Sequence, residues 1–302
     1  MNNKYIIGVI VVVLFIGAFL LLNRQSENQQ DPPSNKSVSS SKLTLIDSIT
    51  HGHGLAVDIS NPGKLYIATH HGLLMLENEK DLYRIGESED DFMGFTPHPT
   101  NSSIFFSSGH PATGGNIGFQ KSEDGGITWQ KLSNGVNGPV DFHAMTISSV
   151  NPNLVFGWYT GGLQRSIDGG KNWEVVQNTQ FPIVSLAADT KDENILYAAS
   201  PQGLFVSKNK GVSFEPVLEG FVSVVAVHPS DSQNLLSFSE KEGLAKSNDA
   251  GKTWERISED FGTETPLFIA FNKQQPKIVY ILTEKNSIYK STDSGANWNK
   301  VR

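Results

Sequence analysis

The sequence predicts an all-β protein, a β-propeller of six blades with seven as the alternative count, and three observations carry that prediction. An eight-residue motif recurs five times: SEDGGITW at 122–129, SIDGGKNW at 166–173, SKNKGVSF at 207–214, SNDAGKTW at 247–254 and STDSGANW at 291–298. The copies start 44, 41, 40 and 44 residues apart, the length of one four-stranded blade. Between copies, short apolar runs alternate with turn residues, as at 222–227, 234–239, 243–247 and 253–257, giving four strands per unit.

From the N-terminus, the first element is an apolar run. Residues 5–22 (YIIGVIVVVLFIGAFLLL) are 18 residues without a charge, about 27 Å long as a helix and close to the hydrocarbon thickness of a bilayer. The run passes from Leu22 into Asn23 and Arg24 without a small-residue cleavage site, so an uncleaved transmembrane anchor over 1–24 is expected. Lys4 and Arg24 flank it and leave its orientation open. Residues 25–41 are polar, with two prolines and six serines, and read as a flexible linker. Residues 42–302 form the propeller.

Blades are expected at 51–88, 89–136, 137–180, 181–220, 221–263 and 264–302. The first has no copy of the motif, with residues 76–83 in its place. Residues 43–49 (LTLIDSI) are expected to pair with the C-terminal strand near 298–302, which would join the chain ends and remove an exposed sheet edge. In each motif, Ser and Asp side chains bond the turn backbone, Gly takes a positive φ and Trp packs between neighbouring sheets. The third copy has Asn209 and Phe214 at the Asp and Trp positions, so it should turn alike and pack differently.

Composition excludes several functions. The net charge of −7 and the lack of any Lys/Arg-rich block exclude a nucleic-acid partner, which requires a basic surface. With no cysteine, disulfides, thiolate metal sites and cysteine nucleophiles are ruled out. There is no G-x-S-x-G elbow, P-loop or H-E-x-x-H pair.

Aligning the innermost strands puts His53, Asp91, His143, Val184, Ser223 and Leu267 at equivalent positions round the ring. The loops between second and third strands open on the same face and add His70 and His71 in blade one, His110 in blade two, and Trp158 and Tyr159 in blade three. Seven of the eight histidines fall between 51 and 143. Six of them, His51, His53, His70, His71, His110 and His143, map to this face.

Two histidines and a carboxylate can hold a divalent transition metal with open positions, and His53, Asp91 and His143 are the candidate set. No cofactor is certain on this reading. Asp91 and Asp141, with Asp90 beside them, could instead serve as acid and base on a glycosidic bond. His51, His70, His71, His110, Trp158 and Tyr159 are candidate ligand-binding groups, and hydrogen bonding that only fixes loop geometry is the alternative for any one histidine. Met93 and Met145 come out on adjacent innermost strands, where core filling or soft ligation would suit them.

The motif is the Asp box, or BNR repeat, and from blade one onward the chain resembles Asp-box propellers of the sortilin and photosystem-assembly-factor type. The set HGHG at 51–54, ATHHG at 68–72, SGHP at 108–111 and DFHAM at 141–145 resembles a group of bacterial membrane-anchored proteins labelled glycosyl hydrolases. The resemblance implies export, with a propeller on the extracytoplasmic side of the cell membrane held by one N-terminal span. A sialidase mechanism is not expected, because it needs three channel-facing arginines to grip a carboxylate. The five arginines here, at 24, 84, 165, 256 and 302, are placed elsewhere. Two functions follow: a surface-tethered binding module for a protein, glycan or metal ion, or a glycoside hydrolase using Asp91 and Asp141.

Overall fold

A computed structural model describes residues 42–179, 181–258 and 261–302, and these form a closed six-bladed β-propeller. The expected anchor and linker, 1–24 and 25–41, lie outside the described residues. Among the described residues, no helix is long and apolar enough to cross a membrane.

The innermost strands in blade order are β2 (Gly52–Val57), β6 (Asp91–Pro97), β10 (Ala144–Ile147), β14 (Ser185–Ala188), β18 (Val222–Val227) and β22 (Pro266–Phe271). Each begins an antiparallel sheet that runs outward in sequence order, and each packs against its neighbour, with β2 on β22 closing the ring. Six apolar clusters, one at each blade interface, form the core. One example joins Leu74, Leu76 and Ile67 of blade one to Tyr280, Leu282 and Ile288 of blade six.

The five Asp boxes take the expected form. In the first, the Ser122 hydroxyl donates to Asp124 and accepts from the Gly126 amide. Asp124 also accepts from the Thr128 amide and hydroxyl, while Trp129 Nε1 donates to the Gly126 carbonyl. The fourth residue of every copy has a positive φ: Gly125 75°, Gly169 75°, Lys210 58°, Ala250 57° and Ser294 64°. Asn209 reproduces the turn by accepting from the Ser213 amide. Phe214 packs on the blade-three and blade-four cluster, and Trp173 enters the preceding interface against Phe119 and Phe142.

The expected pairing of residues 43–49 with the C-terminal strand is corrected. β1 (Leu43–Leu45) pairs instead with β5 (Asp81–Ile85), the outermost strand of blade one, in the register Leu43↔Ile85 and Leu45↔Tyr83. Blade six draws all four of its strands from the C-terminal residues, so its outer edge needs no strand from the N-terminus. Side chains close the ring instead. Arg302 donates to the Asp47 carbonyl at 2.5 Å, the Gly52 amide donates to Asn286 Oδ1 at 2.8 Å, and Glu79 takes both Lys290 and the Tyr280 hydroxyl.

Candidate functional site

Four of the innermost strands are interrupted by bulges, β6 between Met93 and Thr96 and the other three at the channel mouth. In β2, Gly52 pairs with Thr69 and Gly54 with Ala68, leaving His53 out of the ladder. Ser223 in β18 and Leu267 in β22 are left out in the same way. A bulge re-aims the unpaired residue, and all three line one axial cavity of about 340 Å³. A second cavity of about 530 Å³ continues along the channel and shares His53, His143, Val184 and Phe268 with the first.

The cavity has two walls. Blades one to three supply His51, His53, His70, Asp91, His110, Asp141 and His143. Facing them are Ile183, Val184, Leu267 and Phe268, with Trp158 and Tyr159 at the join.

On the polar wall the side chains form two clusters. In the first, the His51, His53 and His70 rings lie 4.4–4.9 Å apart centre to centre, and one nitrogen from each lies within 4.8 Å of the others. His51 precedes β2 with a φ of 44°, a conformation that disfavours side chains with a Cβ. His70 sits at the tip of the hairpin between Thr69 and Gly72, its Nδ1 2.6 Å from Asp91 Oδ2. His53 Nε2 and Asp91 Oδ1 are buried without a hydrogen-bond partner, 3.7 Å apart. Burial lowers the His53 pKa well below the usual range, and positive charge on His70, His51 or His143 would lower it further. His51 is lowered by burial and by His70. Both shifts favour the neutral imidazole.

In the second cluster Asp141, fully buried, accepts on one oxygen from His110 Nε2 and His143 Nε2, each at 2.9 Å. His110 Nδ1 lies 2.7 Å from the Gly115 carbonyl, so both its nitrogens face acceptors and the ring holds two protons. Burial works against that charge, yet Asp141 pushes the His110 pKa up to about 9. Burial would likewise raise Asp141, but His143 and His110 hold it well below the usual carboxylate range.

The cavity thus gathers His51, His53, His70, Asp91, His110, Asp141, His143, Trp158 and Tyr159. His71, one residue beyond His70, is exposed and absent from the lining. Of the candidate metal set, His53 and Asp91 stand in the first cluster and His143 in the second. Asp90 is taken up in loop contacts to Ser88 and the Ala112 amide. Met93 lines the cavity, whereas Met145 packs against Phe106 and Phe142. Trp158 Nε1 donates to Thr179, and Tyr159 accepts from Asn116. Among the described residues, no arginine lines the cavity.

Sequence reasoning missed Glu284 and Asn286, which reach the same mouth from the hairpin between β23 (Val279–Thr283) and β24 (Ile288–Ser291). Burial raises the Glu284 pKa. Applying the second-to-third-strand loop rule to blade six, as to blades one to three, would have found both.

Comparison with known proteins agrees with this architecture. The family model described as sortilin, neurotensin receptor 3 (Sortilin-Vps10) matches residues 242–302. A xyloglucanase of Hypocrea jecorina (strain QM6a) is 28% identical over 141 residues, 45% of this chain and 16% of that enzyme. Among solved structures, the GH74 xyloglucanase from Xanthomonas campestris superposes with a TM-score of 0.59 at 15% identity, over 82% of this chain and 45% of the enzyme. The Niastella koreensis GH74 enzyme gives 0.57 at 17%, over 82% and 46%. YCF48 bound to D1 peptide gives 0.55 at 14%, over 88% of both chains. The chain therefore spans less than half of these xyloglucanases and most of YCF48. At such identities the likeness shows the fold alone: this is a six-bladed Asp-box β-propeller, similar to the sortilin type, to GH74 propellers and to YCF48.

Proposed function

We propose that the protein is a binding module that captures a segment of a partner protein in the axial mouth. One observation carries the reading: the polar wall has its buried carboxylate masked by two imidazoles, opposite a wall of Ile183, Val184, Leu267 and Phe268. A general acid must hold a proton near the working pH. Asp141 is ionised and covered by His110 and His143, so it is poorly suited to protonate a leaving group. An apolar wall facing oriented polar groups is instead what a specific binding pocket requires. The peptide-bound YCF48 propeller, of matching length, supports the choice of ligand. Within this proposal the apolar run at residues 5–22 anchors the propeller to the extracytoplasmic face of a membrane.

Glycoside hydrolysis is the second reading, favoured by the xyloglucanase similarity. It would assign Asp91, with Glu284 at the same mouth, to the chemistry. Two assays on the same preparation separate the readings: affinity for arrayed peptides and oligosaccharides, and release of reducing ends from xyloglucan and related glucans. Peptide binding weakened at least tenfold by Leu267→Glu, with no turnover, is expected. Turnover that disappears in Asp91→Asn would replace the binding reading with the hydrolase.

A further inference from the structure

We infer that His51, His53 and His70 form a site for one divalent transition cation of the zinc or copper class. The inference rests on the reading of the mouth as a binding site and names one ligand of it. Three imidazole nitrogens lie within 4.8 Å of one another, and two nitrogens on a tetrahedral zinc stand about 3.4 Å apart, given Zn–N bonds of about 2.0–2.1 Å. Small side-chain rotations close that difference. The set leaves at least one coordination position open to the cavity.

Two further observations point to a cation. His70 Nδ1 bonds Asp91 at 2.6 Å, which fixes the tautomer and leaves Nε2 as the ligand atom, the carboxylate–histidine arrangement that supports a metal-bound imidazole. His53 Nε2 is buried without a hydrogen-bond partner, and leaving such an atom unsatisfied costs stability. A cation between the rings would satisfy it and would also neutralise Asp91, whose Oδ1 is likewise buried and unpartnered.

The second cluster is a poorer site for a cation. Both nitrogens of His110 are engaged, with the Gly115 carbonyl and with Asp141, and Asp141 Oδ2 already takes two imidazoles. A metal bound through His110 there would have to break its contacts with Gly115 and Asp141, although Asp141 Oδ1 is itself buried without a partner. Imidazole nitrogens together with a nearby carboxylate suit zinc or copper better than calcium or magnesium, which prefer all-oxygen shells.

The test is calorimetric titration of Zn²⁺ and Cu²⁺ into the full 302-residue chain, expressed without a histidine tag and stripped with chelator. One ion per chain is expected, with affinity falling about 100-fold in His53→Ala and His70→Ala and about 10–100-fold in Asp91→Asn. His70 lies on an exposed hairpin tip, so its variant should fold, and circular dichroism checks both histidine variants. Absence of binding, binding undiminished in folded His70→Ala, or loss caused by His110→Gln in its place would each overturn the assignment. Peptide capture measured in chelator judges the binding reading separately. Capture without metal binding would defeat only the cation site, and metal binding without capture only the peptide reading.

Discussion

The His110–Asp141 pair should make the propeller lose stability as pH rises from about 6.5 to 9. His110 has its folded pKa raised to about 9, from an ordinary 6.5. Between those values the folded protein holds a proton that the unfolded chain has released, so stability falls with pH. The stabilisation is fully present below 6.5 and gone once the folded group has titrated. The difference corresponds to at most about 3 kcal/mol at 1.36 kcal/mol per decade, and because the side chain is partly exposed solvent screening lowers it. Asp141 belongs to the same ion pair and is not counted again; its lowered pKa matters only in acid, where stability is lost as pH falls through its folded value.

Urea unfolding in chelator at pH 6.5, 8 and 9.5 reads this out. The wild type should lose up to about 3 kcal/mol across the series, and His110→Gln should start lower and stay nearly flat. Histidines of the first cluster act in a separate window. Burial lowers the folded pKa of His53 and His51, so the unfolded chain binds more protons below 6.5, and stability falls as pH drops through that range. The full profile is therefore a dome. An equal loss between pH 6.5 and 9.5 in His110→Gln would refute the reasoning, as would a His110 ring that titrates near 6.5 by NMR.

Other perturbations test the scaffold. Ala250→Gly and Ser294→Gly replace residues at φ 57° and 64° with the residue that two other Asp boxes use there, and each should raise stability by about 0.5–1 kcal/mol in urea melts. Gly109→Ala should cost about 2–3 kcal/mol, because its Cβ would meet the Asp91 carbonyl at 1.9 Å at a φ of 128°. That variant should also weaken ligand binding by displacing Asp91. Tyr280→Phe removes the 3.0 Å hydrogen bond to Glu79 where the ring closes and should lower the urea midpoint by an amount equivalent to about 1 kcal/mol.

The repeat was legible in sequence because each Asp box is complete within eight residues. Ser122, Asp124, Gly126 and Trp129 bond one another, and no distant partner has to be known. The ring of innermost residues was legible for a related reason: a fixed repeat length carries His53, Ser223 and Leu267 to one level, where each turns out to be the bulged residue of its strand. Pairing was not legible. Spacing cannot tell that Asp141 serves His110 and His143 while Asp91 serves His70, since that depends on loop paths between blades. Adjacent residues at a two-residue hairpin tip diverge, which sends His70 to the cavity and His71 to solvent. The short strand β1 is exposed along its whole length, so no burial pattern marked its partner.

The distribution of imperfections bears on function. The outer hairpins are fully bonded turns whose tryptophans fill the blade interfaces, and this rim would hold the ring whatever lined the axis. At the mouth, three innermost strands bulge and His51 takes a left-handed conformation. Among the described residues, seven buried side-chain polar atoms lack a partner, and three of them, His53 Nε2, Asp91 Oδ1 and Asp141 Oδ1, line this one cavity. Each costs stability that an apolar residue of similar size would not. Random defects would scatter over the molecule, and defects of folding would concentrate where the repeat is weakest, at blade one. Three of the seven instead meet from blades one, two and three in a single pocket, while the other four, on Arg84, Asn116, Gln120 and Ser149, lie outside its lining. Such convergence is expected where polar groups are held ready for a ligand that completes their bonding, and it is why the channel mouth, rather than the Asp boxes, is where this propeller's function is to be sought.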